Sequence, residues 1–153
     1  MISKNSHYSL EKLTANSKNP KFLGEVFAFA EQKYGFVKRQ NFGEPYIEHV
    51  SNVAKILANM NVDETTIAAG ILHDVADLHG REEEKGAVLG ELEKKFGEEI
   101  ATLVERNSDL QRIYYSFHAG RKESVLTSAK AETLRRMFLA IARDLRVVLI
   151  ELA

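Results

Sequence analysis

A chain of 153 residues, 44% hydrophobic and 28% charged, has the composition of one globular domain able to bury a core. Its 21 basic and 22 acidic residues leave a net charge of −1, which gives no bulk attraction to DNA or to a membrane surface. With no cysteine, disulfides, zinc thiolates and thiol catalysis are excluded.

The amino terminus, Met1-Ile2-Ser3-Lys4-Asn5-Ser6, lacks the apolar core of a signal peptide. No apolar run approaches the roughly 20 residues that span a bilayer. A cytoplasmic protein is the expectation. Apolar residues recur at three- and four-residue spacing, and no stretch alternates long enough for a strand, so an all-α domain is predicted. Residues 1–19 read as a polar N-terminal segment prone to fraying, followed by one domain over 20–153.

The first firm helix is predicted over 22–34, introduced by Pro20 and ended by Gly35. A basic loop follows, with Lys38 and Arg39. Pro45 opens a helix to about residue 60, with Val50, Val53, Ala54 and Leu57 as its buried stripe and His49 beside that stripe. Asp63 is placed to cap a helix over 64–75 whose core face is Ile67, Ile71 and Val75. Gly70, three residues before His73, leaves room for a neighbouring helix or a ligand. The charged stretch 81–85 reads as a solvated loop. Two short helices follow, over 88–96 and 98–104, and 107–123 shows no clear pattern. One long amphipathic helix is predicted from 128 to the end, with Leu134, Met137, Phe138, Ile141, Leu145, Val148 and Leu149 on its apolar face. An exposed stripe of Leu145, Val148, Leu149 and Leu152 would favour a homo-oligomer.

The residues that carry chemistry are His49 and His73, which stand 24 residues apart, with Asp74 directly after the second. Two imidazoles and a carboxylate arriving from two helices could hold a divalent metal. Histidine-rich sites suit borderline ions, and added carboxylates admit Mn²⁺ or Fe²⁺. His7 and His118 read as solvated, and His79, close enough to the metal segment to reach it, is a weaker candidate than His49 and His73.

Three segments in order resemble the HD phosphohydrolases, and within them the hydrolase domain of the RelA/SpoT family. They are Gly43-Glu44-Pro45-Tyr46-Ile47-Glu48-His49, then Asp63 through Ala68-Ala69-Gly70-Ile71-Leu72-His73-Asp74-Val75, then Ala131-Glu132-Thr133-Leu134-Arg135-Arg136-Met137 on to Leu152-Ala153. The resemblance spans about 22–153. It implies an HD-domain helical bundle, a Mn²⁺ ion, and removal of the 3′-pyrophosphate of guanosine tetra- or pentaphosphate.

Carried over by position, the resemblance makes His49, His73 and Asp74 three of four metal ligands. The fourth is the Asp of a Leu-Ala-Asp-Arg-Leu-His motif, of which Leu152-Ala153 match the first two residues; the expectation is a chain that stops one position short. Asp144 lies ten residues before that position, about 15 Å along a continuous helix. Asp77 stands for the family's Glu as the carboxylate that orients or deprotonates water, while Leu78 replaces a second carboxylate. Allowing a short gap, Lys38 and Arg39 match a basic pair that binds substrate; without it the pair falls on Gln40-Asn41. Glu105-Arg106-Asn107-Ser108 stands where the family has Gly-Val-Thr-Lys. These departures also allow a different HD nucleotide phosphohydrolase, or a nucleotide-binding regulatory module without turnover.

Overall fold

Every residue from Thr66 to Leu72 of one short helix is buried, as a helix apolar on all sides must be. That helix is the centre of the fold. The structure, a computed structural model, describes residues 17–35, 37–39, 43–78, 82–119 and 128–153. His7, His79 and residues 1–16 of the predicted polar segment lie outside the described residues, as does the side chain of His118. In chain order the helices are α1 (Pro20–Tyr34), α2 (Tyr46–Asn59), α3 (Glu64–Leu72), α4 (Glu82–Phe96), α5 (Glu98–Ala119), α6 (Ser128–Arg143) and α7 (Leu145–Leu152). A 3-10 turn, Val75–Asp77, links α3 to α4. The predicted all-α class holds: among the described residues there is no strand, only one antiparallel bridge between Lys38 and Pro45.

The central α3 packs against α1, α2, α5 and α7. Leu23, Phe27 and Tyr34 of α1, Val53 and Leu57 of α2, Leu103 of α5 and Ile150 of α7 close the core around it. Each such side chain contributes about 1.5–3 kcal/mol relative to an exposed one.

Helix starts follow the sequence signals. Pro20 occupies the first turn of α1, and the Asn19 side chain accepts from Phe22 N at 3.2 Å. Gly35 ends α1 at φ +49°, a backbone region that favours glycine. Asp63 caps α3 with both oxygens: Oδ1 accepts from Thr66 N at 2.9 Å and Oδ2 from Thr66 Oγ1 at 2.7 Å. Burial works to raise the Asp63 pKa, but these two bonds outweigh it and hold the carboxyl below its usual value. Asp63→Ala is expected to lower the unfolding free energy by about 1 kcal/mol in a denaturant titration near neutral pH. The folded-state pKa lies below the unfolded one, so this contribution is complete above the ordinary carboxylate range. It is lost as pH falls through the folded value, and the difference between the two proteins should close in acid.

Gly70 is where two helices meet most closely. A Cβ there would run into Leu57 Cδ1 and come within 3.3 Å of Val53 Cγ1. The missing side chain lets α2 and α3 pack backbone to side chain. One turn further along this contact, Val53 gives way to His49 on α2 and Gly70 to His73 at the end of α3. Close helix packing and the meeting of the two histidines are therefore one feature.

Four expectations are corrected. His73 and Asp74 do not lie inside a helix: His73 is the C-cap of α3 and Asp74 is the N-cap of the 3-10 turn. The charged stretch is largely helical, with α4 starting at Glu82, and Lys85 is buried rather than solvated. The helix expected to stop near 104 continues to Ala119. The long C-terminal helix is two helices, broken at Asp144, whose extended backbone (φ −160°) lets its carboxylate accept from Arg146 N at 3.0 Å. This break turns Val147 and Ile150 into the core, while Leu145 and Leu152 are 68% and 79% exposed and Phe138 of α6 is 68% exposed.

Candidate metal centre

Tyr34 fixes the end of α3. Its ring is fully buried and its hydroxyl donates to the Ile71 carbonyl at 3.2 Å, satisfying one of the orphan acceptors of a helix C-terminus. Tyr46 stacks on it, with centroids 5.3 Å apart and planes 5° from parallel. Just beyond this anchor the chain turns and presents His73 and Asp74. His49 arrives from the first turn of α2.

One ligand atom each from His49, His73 and Asp74 lie within 4.8 Å of one another, so the three residues singled out in the sequence come together. Asp74 Oδ2 faces both rings, at 3.2 Å from His73 Nε2 and 3.7 Å from His49 Nε2. The two rings meet edge to face at 5.3 Å.

The protonation pattern shows what the site can hold. His73 Nδ1 is 2.7 Å from the Gly70 carbonyl, an acceptor only, so Nδ1 carries the hydrogen and Nε2 of the neutral ring offers its lone pair. That lone pair points at a carboxylate oxygen. Two electron-rich atoms at 3.2 Å need a cation between them, a proton or a metal ion. Two imidazole nitrogens and one carboxylate oxygen suit a divalent ion of the Mn, Fe or Zn type.

The titration behaviour agrees. Burial works to lower the His73 pKa, but the Asp74 charge and hydrogen bond and the Gly70 carbonyl outweigh it and raise it. Burial works to raise Asp74, yet His73, Gln111 and His49 bring it down to about 2. His49 is pushed down to about 4 by burial, then by His73 and Arg39, against the pull of Asp74. His49 is thus neutral and able to donate at neutral pH. In a ¹H–¹³C titration of the metal-free chain, His49 is expected to protonate near pH 4 and His73 above the ordinary histidine value. Since the unfolded chain takes up the His49 proton near pH 6.5 and the folded chain only near 4, this residue removes stability as pH falls between those values. His49→Leu should weaken that acid sensitivity in melting curves.

Asp77 lies one 3-10 turn beyond Asp74. Ser108 Oγ donates to Asp77 Oδ1 at 2.8 Å, and Lys85 Nζ donates to Ser108 Oγ at 2.7 Å. Asp77 Oδ2 is buried and has no hydrogen-bond partner among the described residues, an unmet acceptor that calls for a donor from outside the fold. Burial is the main cause that raises the pKa values of Tyr34 and Tyr46, and the charges of Asp74 and Asp77 add to it.

The basic pair divides. Lys38 is exposed. Arg39 is half-buried, and its guanidinium acts on both His49 and Tyr46. The loop is turned back onto the site by Arg39 N bonding Glu44 O at 2.8 Å and Tyr46 N bonding Val37 O at 3.0 Å. Asp144 does not approach the cluster; its carboxylate bonds Arg146 and pairs with Arg106.

Sequence reasoning missed the contribution of α5. Asn107 and Ser108 are fully buried, and Gln111 Nε2 donates to Asp74 Oδ1 at 3.1 Å. Their spacing, one and four residues on a helix, is the available signal: a polar stripe where a core face would be apolar.

The HD-domain family profile matches residues 27–153. Over 135 residues, 88% of its length, the chain is 38% identical to a protein of Brucella ovis named GTP pyrophosphokinase rsh. It is 39% identical over 84% of its length to a probable guanosine-3′,5′-bis(diphosphate) 3′-pyrophosphohydrolase of Synechocystis sp.. It is 35% identical over 94% of its length to a guanosine-3′,5′-bis(diphosphate) 3′-pyrophosphohydrolase of Aquifex aeolicus. The chain spans 16%, 15% and 18% of these relatives' lengths, respectively. Among the described residues no helix is long and apolar enough to cross a membrane. On the profile match, and with the paired histidines and aspartate that the fold brings together, the chain belongs to the HD-domain family.

Proposed function

We propose that this chain is a Mn²⁺-dependent hydrolase domain that removes pyrophosphate from the 3′ position of guanosine tetra- or pentaphosphate. The observation that carries it is the convergence of His49, His73 and Asp74, with Asp77 three residues further along the chain. The names of the Synechocystis and Aquifex relatives support this substrate.

In this reading His49 Nε2, His73 Nε2 and Asp74 Oδ2 would hold the ion. When bound, it supplies Lewis acidity toward the phosphate and lowers the pKa of water at neutral pH. Asp77 Oδ2 takes a proton from the attacking water, while Ser108 holds Oδ1. The water oxygen joins the phosphorus next to the ribose, the bond from that phosphorus to the 3′ oxygen breaks, and the leaving oxygen gains a proton. The products are pyrophosphate and the guanosine 5′-di- or triphosphate. Arg39 meets phosphate charge at the mouth of the site, with Lys38 further out in solvent.

One observation favours a second reading, a nucleotide-binding module without turnover. Leu78, where the resemblance expects a carboxylate, packs against the core and offers no chemistry. Pyrophosphate release from guanosine tetraphosphate, with and without added Mn²⁺, separates the two. Metal-dependent release supports the hydrolase; nucleotide binding without release supports the module.

A further inference from the structure

The two oxygens of Asp74 have different partners. Oδ2 faces both imidazoles, and Oδ1 accepts from Gln111 Nε2 at 3.1 Å. The orientation of the Gln111 amide is itself determined. Glu151 Oε2, an acceptor, takes the Asn107 Nδ2 hydrogen at 3.3 Å, which turns Asn107 Oδ1 toward Gln111. Gln111 Nε2 lies 3.5 Å from that oxygen, so its NH₂ group is directed to the side where Asp74 waits. Asn107 is fully buried, which keeps water from competing for this order.

From this arrangement we infer that Gln111 is a positioning residue that occupies Asp74 Oδ1 and so reserves Oδ2 alone for the metal ion. The inference rests on the metal-dependent reading above. Its physical content is denticity. A free aspartate can close on a divalent ion with both oxygens and use up two coordination positions. An amide bonded to Oδ1 holds the carboxylate as a one-oxygen ligand and leaves a position for water or a phosphate oxygen. Hydrogen bonds to metal-ligating groups orient them, and losing one typically weakens metal affinity about 10- to 100-fold.

The full chain is titrated with Mn²⁺ alone by isothermal calorimetry, and the bound ion is examined by electron paramagnetic resonance. The proteins compared are wild type, Gln111→Met and His73→Ala. Methionine matches glutamine in length but cannot donate. The expected result is no binding by His73→Ala, and binding by Gln111→Met about 10-fold weaker than wild type with an altered Mn²⁺ spectrum. A Gln111→Met protein with wild-type affinity and spectrum overturns this inference while leaving the metal reading intact. A wild-type chain that binds no Mn²⁺ overturns both. Should Gln111→Met fold poorly by circular dichroism, Gln111→Asn gives the same comparison, because it keeps the amide but withdraws it by one methylene.

Discussion

His73→Ala is expected to abolish Mn²⁺ binding and to reduce pyrophosphate release from guanosine tetraphosphate by about 10³-fold or more, the scale of several kcal/mol of lost charge stabilisation. Nε2 of His73 is the nitrogen nearest the shared Asp74 oxygen, and its direction is fixed by the Nδ1 bond to Gly70. No other described side chain joins the three-residue cluster, so nothing replaces the lost nitrogen. The substitution also strands the Gly70 carbonyl, at a cost of about 1–3 kcal/mol, so both assays belong well below the melting temperature. Calorimetry reads the first effect and a pyrophosphate assay the second. A variant that still binds Mn²⁺ like the wild type would remove His73 from the ligand set and with it the basis of the hydrolase reading.

The pairing of His49 with His73 was legible in the sequence because it depends on two regular helices and a glycine. The apolar stripe of α2 and the glycine on α3 report the same contact that joins the histidines. The exact backbone at His73 was not legible. Ile67, Ile71 and Val75 keep four-residue spacing and are all buried, although Val75 belongs to a 3-10 turn, so periodicity alone runs past the helix end. The supporting face of α5 was hidden for a different reason. Its inward residues at this point are Asn107 and Ser108, and a search for apolar spacing reads a buried polar face as noise. Lys85 failed similarly: a lysine beside three glutamates looks solvated until Ser108 and Asp109 are seen to receive it. The break at Asp144 carries no glycine or proline, only a residue type that caps helices, and a cap within an apolar-periodic run gives a weak boundary. The polar positions that surround the site are thus the ones that composition and period describe least well, since their burial is set by chemistry on a neighbouring helix.

Asp77→Asn should leave Mn²⁺ affinity unchanged and lower kcat by about 10²- to 10⁴-fold, the range for a positioned acid–base group. The separation follows from the geometry. Asp77 is not among the three groups whose donor atoms converge, so the ion is held without it. Asparagine keeps the size of the side chain and an oxygen to accept from Ser108, so the Lys85–Ser108 support behind it can persist. What changes is the second terminal atom. In place of a buried oxygen that has no partner among the described residues and can take a proton, the variant presents an NH₂ group that can only donate. Binding and water activation are then measured independently, by calorimetry and by single-turnover pyrophosphate release. Full turnover in Asp77→Asn would assign the proton to another acceptor and reduce Asp77 to a structural partner of Ser108. Loss of Mn²⁺ binding would instead make Asp77 a ligand, and the attacking water would need a base from elsewhere. Retained binding with slow chemistry is the outcome that the unequal environments of its two oxygens predict.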